Sequence, residues 1–591
     1  MPAKTLELAE VITPESIAKS IALKWNEWNS LRAEKREEWK ELRNYIFQTS
    51  TKDTSNSKLP WKNSTSTPKI CQIRDNLHAN YMAALFPNEN WLRWEGGDKE
   101  SDRKSKRTVI EEYMRNKTDA SAFRTTISQL VLDWIDYGNA FGTTEYLNQI
   151  HKVEGFNDVV QYVGPKLVRL SPYDVAFDIT ASDFESTPKI VRSLKSLGDI
   201  KKDLLERPEL GYQQAVFDVM MNDREAVNGL SAELDIDKND GYLVDGFGSI
   251  SQYYASGTVE LLEFYGDYFD ADTNTLYPNH VITIADRVHV LRNQPIPGWN
   301  INKIRHVGWR LRPDNLMAMG PLDNLVGMQY RIDHLENLKA DVFDLIAHPV
   351  MKIKGAVEDF TYGPGERIIC GDDGSVDFLP PDATALNADT QISILEQKME
   401  DFAGAPKQAM GIRTPGEKTK FEVQTLENAS GRIFQNKISY FEQVFMEMIL
   451  NDMLEVAVRN LSSSDVIRIL DKDIDVVLFK TITKDDITAK GTLRPVGARH
   501  FATKANMLQN FVALSNSALG QDPAVSIHIS GLKIAKLIEE MMEVERYGLV
   551  SDNIRVFEQL DTQRLMNQGK VQLDTELQTS PQTTADEVIP V

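Results

Sequence analysis

The chemistry that this chain could perform is limited by how few of its polar residues stand at working distances. The nearest approach to a phosphate-cradling loop is GIRTPGEKT, from Gly411 to Thr419. Such a loop needs four residues between two glycines, then Lys and Ser or Thr at once. Gly411 and Gly416 have that spacing, but Glu417 stands between Gly416 and Lys418. The insertion displaces the ammonium and puts a carboxylate where phosphates would lie. The preceding FAGAPKQAM does not read as a buried strand, so nucleotide binding is not expected. DIDKND, starting at Asp235, has three oxygen-bearing side chains at calcium-loop spacing. Asp240 then takes the position that requires Gly, and Gly246 the one that requires Glu. DADTNT from Asp270 also lacks the glycine and reads as a hairpin turn. The histidines are scattered and form no HExxH, and there is no GxSxG elbow. Cys71 and Cys370 are far apart and in no metal spacing. The expectation is a protein that is not an enzyme and needs no cofactor or metal.

Bulk composition narrows the class. A chain of 591 residues is too long for one ordinary domain. Its 87 acidic and 66 basic residues leave a net charge of -21. Tight DNA binders neutralise phosphates and are normally basic, so acidity argues against that role. It is compatible with simple solubility, and also with a conduit whose walls repel a sliding polyanion. Two cysteines suit assembly in a reducing cytoplasm. MPAKTLELAEVITPES has no signal-peptide core, and no apolar run is long enough for a membrane span, so no membrane partner is expected.

The elements read as α+β, mainly helical. Residues 1–14 look flexible. Residues 15–47 form an amphipathic helix whose stripe lapses into charge between Leu31 and Trp39. A polar loop occupies 49–67, and helices follow at 69–86, 102–116 and 120–137, with Gly138 as C-cap. Residues 140–190 are β-rich, helices recur near 197–206 and 211–225, and a small β meander spans 257–291. Next come a helix at 320–347, a β insert at 349–383 and a helix at 388–403. A loop at 404–419 leads into the longest helix, 420–461, which would extend ~60 Å. Its stripe is Phe434, Ile438, Phe441, Phe445, Ile449, Met453 and Val456. A β patch at 466–495, a helical part at 500–570 and an acidic flexible tail at 571–591 complete the chain.

The order helix, β insert, helix, loop, long helix is the informative feature. An insert between antiparallel helices projects as a knob on a stalk. The descending helix carries Leu325, Ile332, Leu335, Leu338 and Val342 along one stripe that also holds Leu322 and Leu345. One helical pair cannot bury such a stripe, whereas identical neighbours in a ring can. The following loop is locally basic: Lys407, Arg413, Lys418 and Lys420 face the single acid Glu417. It is either a solvated loop or a channel lining that brushes phosphates.

Four stretches carry a family resemblance: DWIDYGNAFG (133–142), LVRLSPYDVAFDITASDFESTPKIVRSL (167–194), GWRLRPDNLMAMGPLDNLVGMQYRIDHLENLKAD (308–341) and GIRTPGEKTKFEVQTLENASGRIFQNKISYFEQVF (411–445). With the element order, over roughly 15–570, the chain resembles the portal, or head-to-tail connector, family of short-tailed double-stranded DNA bacteriophages. The resemblance implies a ring of about twelve subunits at one capsid vertex. It implies stem helices at 320–347 and 388–403, a clip at 348–387, a DNA-facing tunnel loop at 404–419 and a crown at 500–570. Residues 15–319 and 420–499, the long helix and the β patch, would form the wing. Implied partners are further copies of the chain, duplex DNA in the channel, the terminase large subunit, a tail adaptor and the major capsid protein. The implied location is the virion head–tail vertex, reached from the host cytoplasm. The alternative is another ring-forming head–tail component of the virion, such as an adaptor.

Overall fold

The computed structural model describes residues 13–47, 66–87, 91–151, 159–226, 258–270, 273–296, 304–347, 350–359, 367–379, 386–404, 434–461, 465–471 and 476–497. These form a mixed α+β fold with several small sheets. The chain divides into two compact units. The first is Met1–Ile469 with Leu478–Gly497, and the second is Leu470–Val477 with Ala498–Val591. The predicted crown and acidic tail lie outside the described residues.

The single helix expected over 15–47 is two, α1 (Ser16–Leu31) and α2 (Ala33–Phe47). The break falls at Arg32, inside the charged lapse of the stripe. Its buried guanidinium donates to the carbonyls of Pro172, Tyr173 and Val175, each at 2.6 Å. A buried cation must find acceptors, and interrupting the helix delivers this one to three. Helix α3 (Lys69–Leu85) is followed by strand β1 (Leu92–Gly96), then α4 (Lys104–Ala120) and α5 (Phe123–Asp136). Gly138 ends α5 with φ 71°, and a Cβ there would stand 2.3 Å from the Gly320 nitrogen. Only glycine meets both demands.

Strands β2 (Asn139–His151), β3 (Val159–Leu170), β4 (Val175–Phe177) and β5 (Lys189–Ser196) follow. Helix α6 (Leu197–Glu206) opens on a capping box made by Ser196 and Asp199, and α7 spans Gln214–Ala226. Strands β6 (Thr258–Asp270), β7 (Thr275–Ala285) and β8 (His289–Pro295) form the expected meander within a five-stranded sheet ordered β4-β5-β6-β7-β8. Asp270 pairs with Thr275 across the β6–β7 turn, so the calcium-like stretch is a hairpin end. Successive residues of β6 face opposite sides. Leu262 and Phe264 meet Ile21 and Trp25 of α1, while Val259 and Leu261 meet Ile200 of α6 and Phe217 of α7.

Residues 304–319, not anticipated as strands, are β9 (Ile304–Gly308), β10 (Arg310–Arg312) and β11 (Asn315–Met319). The strands are short and share a Trp-Arg-Leu-Arg stretch that does not alternate cleanly. β9 completes a sheet ordered β3-β2-β9. Helix α8 (Val326–Ala347), strands β12 (Val350–Lys354) and β13 (Ser375–Leu379), and helix α9 (Ala388–Ala403) come next. Of the long helix, residues 434–441 are helical, Glu442–Met446 form a π turn, and α10 (Glu447–Asn460) continues. Ile438, Phe441, Phe445, Ile449, Met453 and Val456 are all buried, and α10 packs on β2 and β3. Strands β14 (Asp465–Asp471) and β15 (Val476–Ile482), helix α11 (Lys484–Ile487) and strand β16 (Gly491–Pro495) finish the described chain, with β16 paired antiparallel to β1.

Candidate subunit interface

Helix α8 starts six residues later than the spacing predicts, at Val326 rather than 320. Gly320 donates its N–H to Asp323 Oδ2 at 2.8 Å, and Leu325 donates to the Leu322 carbonyl at 2.9 Å. Those turns, with Pro321 among them, hold the chain out of the helix. Asp323 in turn binds Lys35 Nζ of α2 at 2.6 Å.

The two halves of α8 differ in what they bury. Gln329, Asp333 and Asn337 recur at four-residue steps, and all three are buried. Gln329 accepts from the Ile70 N–H at 3.2 Å and donates to the Thr67 carbonyl at 2.5 Å. Asp333 accepts from the Thr67 N–H and the Ser66 hydroxyl, both at 2.9 Å. Together they satisfy the entry to α3, where unpaired N–H groups and the helix dipole favour an oxygen acceptor. Burial raises the Asp333 carboxyl above its usual range, against the pull of those hydrogen bonds. The C-terminal half presents Leu338, Phe343, Leu345 and Ile346, which keep 36, 52, 41 and 45 % of their surface exposed. A helix that buries amides and shows water its Leu, Phe and Ile inverts the usual arrangement.

Two of the residues expected to join subunits do not face outward. Leu325 and Ile332 have no exposed surface and belong to the chain's own core. The cause is the packing of α8 on α2 and α3. Leu335 and Val342 are half-buried, and Leu338 is exposed. Phe343 and Ile346, not among the residues expected there, are exposed as well. The run VFDLIA, 342–347, carries more apolar positions than one stripe can hold, and that excess was the available signal.

Helix α9 returns alongside α8. Lys339 Nζ binds Asp389 Oδ1 at 2.6 Å near the start of α9, and a buried pair, Lys69 Nζ to Glu400 Oε1 at 2.7 Å, ties its far end to α3. Ile392, Met399 and Ala403 are buried, whereas Ile394 and Phe402 are exposed. Between the helices, β12 and β13 pair antiparallel from Val350↔Leu379 to Lys354↔Ser375. Directly opposed residues share a face. Met351, Ile353, Val376 and Phe378 therefore form one apolar side, with Ile353 and Phe378 exposed. A lone two-stranded hairpin is marginal in water. More than half of the large apolar side chains exposed among the described residues fall in this arm, residues 338–402.

The polar residues of the first resemblance stretch have internal partners. Asp133 binds Arg169 through two hydrogen bonds at 2.5 and 2.6 Å, and Asp136 binds Arg74 at 2.6 and 2.8 Å. Burial pushes the Asp133 carboxyl up to about 6, against the pull of Arg169. Asn139 donates to the carbonyls of Tyr137 and Ala318, both at 2.9 Å. His306 stacks on Phe141 at 4.7 Å, and burial, with Lys189 nearby, lowers it to about 3. These groups join α5 to α3 and to the strands around it.

Lys407, Arg413, Lys418 and Lys420 lie outside the described residues, as do Gly411–Thr419 and the stretch from Asp235. Among the described residues, no group of three or more His, Cys, Asp or Glu is placed to hold a metal, and no helix is long and apolar enough to cross a membrane. Comparison with protein-family models and with curated proteins finds no match.

Proposed function

We propose that this chain is a portal protein: a ring subunit at one capsid vertex through which duplex DNA enters and leaves, and on which terminase and a tail adaptor dock. The observation that carries the reading is the run of exposed apolar residues in the C-terminal half of α8, continued by the apolar hairpin and by Ile394 and Phe402 of α9. Surface of this kind requires a cover. Identical neighbours related by a rotation axis supply it once for every subunit and close without leaving an open end. The element order, with a projecting hairpin between the two helices, supports the stem and clip assignment. The net charge of -21 supports a wall that lets a polyanion slide.

On this reading the subunit performs no hydrolysis, and a separate motor supplies the energy. Electron microscopy of the purified full-length chain is the test. A closed ring with a central hole wide enough for a duplex is expected. A monodisperse monomer at micromolar concentration would sink the proposal, and ATP hydrolysis by the purified chain would sink its non-enzymatic part.

A further inference from the structure

A second site stands apart from the arm. It is built on Trp309, a buried residue between β9 and β10. Its indole N–H donates to the Tyr81 hydroxyl at 3.2 Å, which fixes the ring. Over that ring lie two cations, Lys437 Nζ at 4.4 Å and the Arg310 guanidinium at 5.3 Å from the centroid. Lys437 comes from the helical residues 434–441 and also donates to the Trp309 carbonyl. Arg312 lies two residues beyond Arg310 on the same strand, and its guanidinium reaches the Met317 carbonyl at 3.2 Å.

The ordinary company of such cations is missing. Among the described residues, neither Arg310 nor Lys437 has a carboxylate partner, and the Arg310 side chain makes no hydrogen bond. Burial and then the nearby Arg310 both lower the Lys437 ammonium, with no acid opposing them. In a chain of net charge -21, two like charges held against one aromatic ring are an uncompensated concentration of positive potential. Cation–π attraction holds both heads in place but neutralises neither. An oxyanion would do so, because a guanidinium offers a planar fork and an ammonium a point charge, and both suit phosphate oxygens.

We infer that Arg310 and Lys437, held over Trp309, bind a phosphate group, either a phosphodiester of DNA or a free phosphate anion. The inference does not require the ring, since all three residues belong to one chain.

The test uses the full-length protein and the double variant Arg310→Gln with Lys437→Gln, after circular dichroism shows an unchanged fold. Lys437→Arg, which keeps the charge, is the control. In one arm, a fluorescent duplex oligonucleotide is titrated across a salt series. If the source is DNA, the double variant binds more weakly, its slope of log affinity against log salt is shallower by about 1 per phosphate contact removed, and Lys437→Arg retains most of the binding. In the other arm, thermal unfolding is followed in inorganic phosphate against chloride of equal ionic strength. If the source is free phosphate, phosphate raises the wild-type midpoint and leaves the double variant unmoved. If wild type and double variant coincide in both arms, the site does not exist. A monomeric protein that still passes either arm would keep this inference while ending the ring proposal.

Discussion

Lys189 is a lysine with no exposed surface. Its ammonium position reaches the carbonyls of Glu185 and Thr187 at 3.2 and 3.0 Å and sits 4.4 Å from the Phe184 ring. Burial lowers it from the ordinary 10.5 to about 7, although Glu185 and Asp183 pull the other way. Between those two values the unfolded chain holds a proton that the folded chain lacks. Stability contributed by this site therefore rises with pH from about 7 toward 10.5, by up to ~1.4 kcal/mol per unit, and is flat below about 7. Lys189→Met removes the slope. Urea midpoints measured from pH 7 to 9.5 should show the wild type gaining on the variant as pH rises, and a constant gap would rule out a neutral buried amine. None of this is written in spacing. PKIVRS reads as a strand, and its spacing does not tell that the Lys189 head turns onto the carbonyls of Glu185 and Thr187 and the Phe184 ring.

At the scale of elements, the signals that survived folding are the periodic ones. The stripe from Ile438 to Val456 is buried as its three- and four-residue steps require. Gly138 caps α5, and the order helix, β pair, helix is present, its first helix starting six residues after the expected position. Failures came where one side chain outweighed the pattern. Arg32 broke a helix to reach three carbonyls, and Pro321 with Asp323 delayed α8. The candidate interface was half legible: spacing marked α8 as having an apolar stripe but could not tell which turns the chain itself covers. That division yields a paired prediction. Ile332→Ala should cost about 2–5 kcal/mol in unfolding free energy by emptying a core position. Phe343→Ser with Leu345→Ser should shift stability by no more than about 0.5 kcal/mol, as surface changes do, yet abolish assembly in sedimentation velocity. The opposite assignment of effects would show that the C-terminal half of α8 is not where subunits meet.

For the whole molecule, a channel must hold its cargo loosely. On the proposed portal reading, the basic loop expected at 404–419 would be the point of contact in an otherwise acidic chain. Replacing Lys407, Arg413, Lys418 and Lys420 with Gln should leave rings intact and reduce DNA packaging or retention. Loss of the rings themselves would make those residues structural.

The bare Leu, Phe and Ile of the arm also bear on how assembly responds to temperature. Attraction between such surfaces is driven by released water and fades as the solution cools. Particles joined mainly through them should fall apart on ice and re-form on warming, which mass photometry at about 4 and 25 °C can follow. A preparation kept cold from lysis onward would then yield free subunits, and the population that a microscopist sees would depend on the thermal history of the tube.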